Sequence, residues 1–119
     1  MVEKVNVPEI SQKHLHGIKN LTVEDINKIL DLSNFFKLNN KEKDKNYPIL
    51  KGRTIINLFF EPSTRTLISF EIAAKRLGAD VVNMNIEGSS LRKGESLHDT
   101  AQTLGAMNPD LVVIRHGIN

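Results

Sequence analysis

The run Glu61-Pro-Ser-Thr-Arg-Thr66 sets three hydroxyls and a guanidinium side by side, Ser63, Thr64, Arg65 and Thr66. It follows an apolar run and precedes a helical pattern, so its backbone amides fall at a helix start. First-turn amides lack intrahelical acceptors and the helix dipole is positive there, which makes such a start an anion site. Arginine adds charge-assisted, bidentate bonds suited to a planar carboxylate or to phosphate. The glycines and Gly-Lys-Ser/Thr ending of a Walker loop are missing, so this is a different kind of phosphate site. The plainer use of Ser63 or Thr64 is as a helix cap, with Arg65 in water. Four such residues together favour the anion site.

Arg115 closes a later apolar run and supplies a second cation. His116 beside it reads either as a proton donor or as an ordinary loop histidine. Ser89-Ser-Leu-Arg-Lys-Gly-Glu95 joins small residues to Arg92 and Lys93, as a mobile functional loop or a solvated surface loop would. His98 reads as exposed, and Asp99 suits a first helical turn. His14 and His16 stand two apart with no further ligands nearby, so no metal and no cofactor is expected.

The elements that carry these residues alternate. Thr22 is an N-cap with Asp25 three residues on, a weaker form of the capping box. Val23, Ile26, Ile29, Leu30, Ser33 and Phe36 follow at helical spacing and predict a helix that packs on a partner. Asn39–Asn46 ends it, and Pro48 blocks continuation. Thr54–Phe60 is short, apolar and rich in β-branched and aromatic residues, as a strand buried on both faces should be. A helix over 65–77 follows, with Phe70, Ala73, Ala74 and Leu77 on its inner face and Gly78 at C′. Val81–Asn85 reads as a second strand and 86–95 as a loop. A helix carrying Leu97, Ala101 and Leu104 comes next, closed by Asn108-Pro109. Leu111–Ile114 is predicted as a third buried strand. Two βαβ crossovers make an α/β fold, an open parallel sheet with helices on both faces. The loops 61–66, 86–95 and 115–119 then share the carboxyl edge of the sheet, where ligands bind in open α/β sheets.

Composition removes several classes. The chain has 119 residues, 39% apolar and 25% charged, with a net charge of +2, which argues against disorder. No apolar run reaches the roughly 18 residues of a membrane span, and the N-terminus lacks the apolar core of a signal peptide. Basic and acidic residues are spread evenly, without the clustered cations that nucleic acid requires. Cysteine is absent, which removes disulfides and thiolate chemistry and is compatible with a reducing, cytoplasmic setting.

Phe59-Phe-Glu-Pro-Ser-Thr-Arg-Thr66, followed by Ser69-Phe-Glu71 and Arg76-Leu-Gly-Ala79, closely resembles the signature of the aspartate/ornithine carbamoyltransferase family. Ser89-Ser-Leu-Arg-Lys-Gly-Glu-Ser-Leu-His-Asp-Thr100 and Val113-Ile-Arg-His116 match further family segments in order. Within the family Glu61, Lys93 and the Arg115-His116 pair look like the aspartate branch. Leu67 departs from it, since many relatives carry a basic residue there.

The resemblance implies transfer of the carbamoyl group of carbamoyl phosphate to the amino group of L-aspartate, an early step toward pyrimidines and UMP. It assigns Ser63, Thr64, Arg65, Thr66 and Arg115 to carbamoyl phosphate. Ser89 or Ser90 and Lys93 would reach a neighbouring subunit's site, with Lys93 also touching aspartate. It implies a homotrimer with shared sites, and allows regulatory chains. Residues 1–119 would be the N-terminal portion of a three-layer αβα carbamoyl-phosphate domain, lacking the rest of that domain and the aspartate domain. Such a portion is expected to bind poorly and not to turn over alone. The alternatives are an ornithine-type or other-acceptor transferase, and a non-catalytic phosphate-binding homologue.

Overall fold

The structure, a computed structural model, describes residues 5–42, 44–85 and 97–116. They belong to two units, Met1–Lys45 and Asn46–Asn119. In the first, helix α1 spans Val23–Asn39. Its start is a full reciprocal capping box: Thr22 Oγ1 accepts from Asp25 N at 3.0 Å, and Thr22 N donates to Asp25 Oδ2 at 3.1 Å. Ser11 adds to it, its backbone N–H donating to Asp25 Oδ1 at 2.8 Å and its hydroxyl to Asp25 Oδ2. Asp25 thereby ties the N-terminal arm to the helix and is itself buried. The apolar stripe predicted to pack remains largely open, with Val23, Ile29 and Leu30 exposed. α1 is the only helix among the described residues of this unit, and no strand there offers it a face.

The second unit holds β1 (Thr54–Phe59), α2 (Thr64–Arg76), β2 (Asp80–Asn85), α3 (Leu97–Ala106) and β3 (Leu111–Arg115). Among the described residues the strands form one parallel sheet in the order β2-β1-β3. β1 is central, so Ile55, Ile56, Leu58 and Phe59 are all buried, each stabilising the fold by roughly 1.5–3 kcal/mol. Its side chains alternate between two helix layers. Ile56 and Leu58 pack with Leu104 of α3, while Ile55 packs with Ala74 of α2 and with Ala79. β3 departs from the expectation of a fully buried strand. Among the described residues it pairs with β1 alone, and Leu111 and Ile114 are exposed. Phe70, predicted on the inner face of α2, is also exposed; Ala74 carries that contact.

Polar contacts fix the ends of these elements. Gly78, at φ +85°, closes α2 in the left-handed conformation that glycine tolerates. The N–H groups of Gly78 and Ala79 return to the carbonyls of Lys75 at 3.0 Å and Ala74 at 3.1 Å, the paired bonds of a Schellman end. Asp110 accepts from Thr54 N at 2.8 Å and from Arg53 at 3.3 Å, aligning the starts of β1 and β3. These bonds hold its carboxyl below the usual carboxylate range, the backbone bond contributing most. Asn57, wholly buried in β1, donates to Asn83 Oδ1 at 3.0 Å. Its own Oδ1 has no partner among the described residues, which costs about 1–3 kcal/mol.

The Asp25 junction predicts an acid response. The Ser11 hydroxyl, the Ser11 and Thr22 N–H groups lower its pKa from 3.8 to about 2. A depressed carboxyl stabilises the folded unit fully above the unfolded value and loses that contribution as pH falls through the folded one. Helicity of α1 should therefore hold at pH 5 and decline between 3.8 and about 2. In Asp25→Asn that step should vanish from circular dichroism, with lower helicity throughout; an unchanged acid profile would remove Asp25 from this role.

Candidate functional site

Parallel pairing brings the two predicted anion-binding segments together. Phe59 of β1 is in register with Arg115 of β3, and Phe60 N donates to Arg115 O at 2.8 Å. Residues paired across the ladder share a face, so Arg115 projects with Phe59 and Ile55 toward the α2 layer. There Arg115 Nε donates to Glu61 Oε1 at 2.8 Å, and Nη1 lies 3.4 Å from Thr66 Oγ1. The guanidinium thus sits over the first turn of α2, between the loop carboxylate and a first-turn hydroxyl.

α2 begins at Thr64 with Ser63 as its N-cap residue, and the Ser63 side chain makes no capping bond. The capping use of that hydroxyl is absent here. Ser63 O accepts from Leu67 N at 2.9 Å, which starts the helical ladder. Ser63 and Thr66 are half-buried, whereas Thr64 and Arg65 are exposed. Ser69 Oγ binds Arg65 O at 2.8 Å, one turn along the same helix. Among the described residues Arg65 has no ion-pair partner. The structure brings Arg115 to Thr66, while Ser63, Thr64 and Arg65 stand at the cap and in the first turn of the same helix, where amides and hydroxyls are donors.

Glu61 is the partner of Arg115 that the residue pattern left unread. Its carboxylate neutralises Arg115, so an anion arriving at these donors competes with it for that guanidinium. The available signal was its place immediately ahead of the hydroxyl cluster. Ser89, Ser90 and Lys93 lie outside the described residues. His116 packs its ring on Phe60, with centroids 5.0 Å apart, and lines a cavity on the α3 side. That cavity, of about 640 Å³, is otherwise walled by residues such as Leu58, Leu104, Val112 and Ile114. Among the described residues its walls offer no arginine, lysine or hydroxyl to a phosphate, and desolvating a dianion without a counter-charge is prohibitive. The arginines and hydroxyls that the residue pattern singled out stand on the α2 side. No cluster of metal-ligating residues occurs among the described residues; the His14 and His16 rings simply stack, 5.6 Å apart.

Known proteins resemble the chain along nearly its whole length. The family profile described as aspartate/ornithine carbamoyltransferase, carbamoyl-P binding domain, matches residues 13–119. An aspartate carbamoyltransferase catalytic subunit of Pelagibacter ubique is 56% identical over 117 residues, covering 98% of this chain and 37% of its own. A crystal structure of aspartate transcarbamoylase from Trypanosoma cruzi in complex with carbamoyl phosphate superposes with a TM-score of 0.79 at 35% identity, over 98% of this chain and 37% of that one. The catalytic subunit of M. jannaschii aspartate transcarbamoylase gives 0.77 at 39% identity, over 91% and 35%. The chain therefore spans little more than a third of the length of these relatives.

The Glu61–Arg115 pair makes a direct prediction. Both side chains are partly exposed, and a pair of this kind is worth about 0.2–1 kcal/mol. Removing the competing charge with Glu61→Gln should tighten inorganic phosphate binding by up to about fivefold. Titration followed by amide chemical shifts at Thr64–Thr66 measures it; weaker binding in the variant would show that Glu61 supports the anion instead of competing with it.

Proposed function

Because the chain belongs to the aspartate/ornithine carbamoyltransferase family, we propose that it carries the carbamoyl-phosphate half of an aspartate carbamoyltransferase active site. In this reading residues 1–119 are the N-terminal portion of the carbamoyl-phosphate domain of a catalytic chain. That chain would be cytoplasmic and trimeric, and its product would feed pyrimidine synthesis. The observation that supports it best is the meeting of Arg115 with Thr66 at the start of α2. An arginine at the end of β3 and a hydroxyl-rich start of α2 converge, as an anion site requires.

The chemistry follows from that arrangement. The amine of aspartate attacks the carbonyl carbon of carbamoyl phosphate, a C–N bond forms, and the C–O bond to phosphate breaks. Phosphate departs with the electron pair and takes up the proton released by the amine. Negative charge grows on the carbonyl oxygen and on the leaving phosphate during this step. Donors fixed before reaction stabilise that charge without reorganising. Ser63, Thr64 and Arg65 would hold the phosphate, while Thr66 and Arg115 would reach the phosphate and the carbonyl oxygen. Holding two anionic substrates in contact removes much of the entropic barrier. Lys93, with Ser89 or Ser90, would complete the site of a neighbouring subunit, Lys93 touching both substrates.

A chimaera tests this reading, in which residues 1–119 replace the matching stretch of the Pelagibacter ubique catalytic subunit. It should form carbamoyl aspartate from carbamoyl phosphate and aspartate; activity with ornithine alone would move the chain to the other branch of the family. Arg65→Ala in that chimaera should lower kcat/KM by at least about a thousandfold, the scale of losing a transition-state donor. Near-normal turnover would defeat the assignment. Lys93→Ala should also inactivate, and mixing the two inactive variants should restore part of the activity through hybrid trimers. Recovery requires a site shared between subunits, so a mixture as inactive as its components would count against one.

A further inference from the structure

Asn57 is an anomaly in the most buried strand of the sheet: its amide is 0% exposed among Ile55, Ile56, Leu58 and Phe59. It faces Asn83 across the β1–β2 register. Asn57 Nδ2 donates to Asn83 Oδ1 at 3.0 Å, and Asn83 Nδ2 donates to Glu71 Oε1 of α2 at 2.7 Å. Glu71 Oε2 then accepts from Lys75 at 2.6 Å. The direction of this ladder is set from its outer end. An ionised carboxylate only accepts, so Asn83 turns its NH2 outward and its oxygen inward. Asn57 must then donate, and its own oxygen is left without a partner among the described residues. An apolar side chain at position 57 would avoid that loss, so the ladder does something that packing alone does not.

The distribution of apolar contacts along α2 indicates what. Ala74 packs against Ile55 and Ala79 at the C-terminal end of the helix. Ile68, Phe70 and Ile72, nearer the start, are exposed. Among the described residues, the buried apolar cluster that includes α2 thus lies at the end remote from the anion patch, with Leu67 half-buried near the start, and apolar contact has no directional preference. Glu71 provides a second, directional attachment to the sheet. It lies five residues from Thr66, about 7.5 Å along the helix axis. Two points fix the helix line, and that line sets the distance between its first turn and Arg115.

We propose that the Asn57–Asn83–Glu71 ladder positions the start of α2 against Arg115, which makes these three side chains positioning residues of the anion site. This rests on the reading of Ser63–Thr66 and Arg115 as that site. None of the three touches the anion. They act by setting the direction of the helix that does.

The experiment is a titration with inorganic phosphate of the chimaera in which residues 1–119 replace the matching stretch of the Pelagibacter ubique catalytic subunit, taken as parent, followed by amide shifts at Thr64–Thr66, with thermal stability measured in parallel. The double variant Asn57→Leu, Asn83→Leu removes the ladder and leaves no orphaned buried amide. It should match or exceed the parent's Tm while binding phosphate about tenfold more weakly, the scale expected when a donor set is displaced by a fraction of an ångström. Glu71→Ala, at the partly exposed end of the ladder, should weaken binding at unchanged Tm. Glu71→Gln keeps an acceptor for Asn83 and should bind within about twofold of the parent. If the double variant does not fold, the two Glu71 variants decide the matter. Parental affinity in the double variant, or in Glu71→Ala, overturns the positioning role and leaves the proposed function standing. Absence of phosphate-dependent shifts at Thr64–Thr66 in the parent overturns the site reading, and the positioning role with it.

Discussion

Parallel pairing to a central strand governs the second unit of this protein. With β2 on one side of β1 and β3 on the other, the three strands end at one edge. The pairing of Phe59 with Arg115 fixes which face of that edge the arginine occupies. A shift of one residue along β3 would send Arg115 to the α3 side, into the apolar surroundings that now receive His116. The charged patch and the apolar cavity thus lie back to back, separated by the alternation of side chains along two strands.

Around that constraint the remaining forces divide the work. Burial of Ile55, Ile56, Leu58 and Phe59 supplies most of the driving force and demands nearly continuous apolar sequence in β1. Directional polar contacts then define geometry that burial leaves loose: Asp110 aligns strand starts, the Schellman end stops α2, and the Asn57–Asn83–Glu71 ladder attaches α2 midway. Electrostatics finishes the site. Glu61 pairs with Arg115, and Arg65 stands exposed in the first turn of α2.

Much of this was legible in the residues. The run Thr54–Phe60 announces a doubly buried strand, Gly78 announces the end of α2, and the hydroxyl cluster after Pro62 announces the start of that helix. What escaped the pattern depends on partners distant in sequence. Leu111–Ile114 has the composition of a buried strand, yet among the described residues it pairs with β1 alone, and composition does not report order. Asp25 looks like half of a capping box until Ser11 is brought to it from the arm. Glu61 reads as loop polarity until Arg115 arrives from 54 residues away. The α1 stripe is helical as its period requires, but a period does not name the surface that covers it. Ser89, Ser90 and Lys93 were read from resemblance and lie outside the described residues.

A crystal structure of the chain grown with inorganic phosphate shows whether the start of α2 and Arg115 hold one phosphate between them. Density for the anion is expected against the backbone amides of Thr64–Thr66. Arg65 and Arg115 should donate to its oxygens, with the Glu61 carboxylate displaced from Arg115. Phosphate bound elsewhere, with Glu61 still paired to Arg115 and the α2 start unoccupied, would contradict that arrangement.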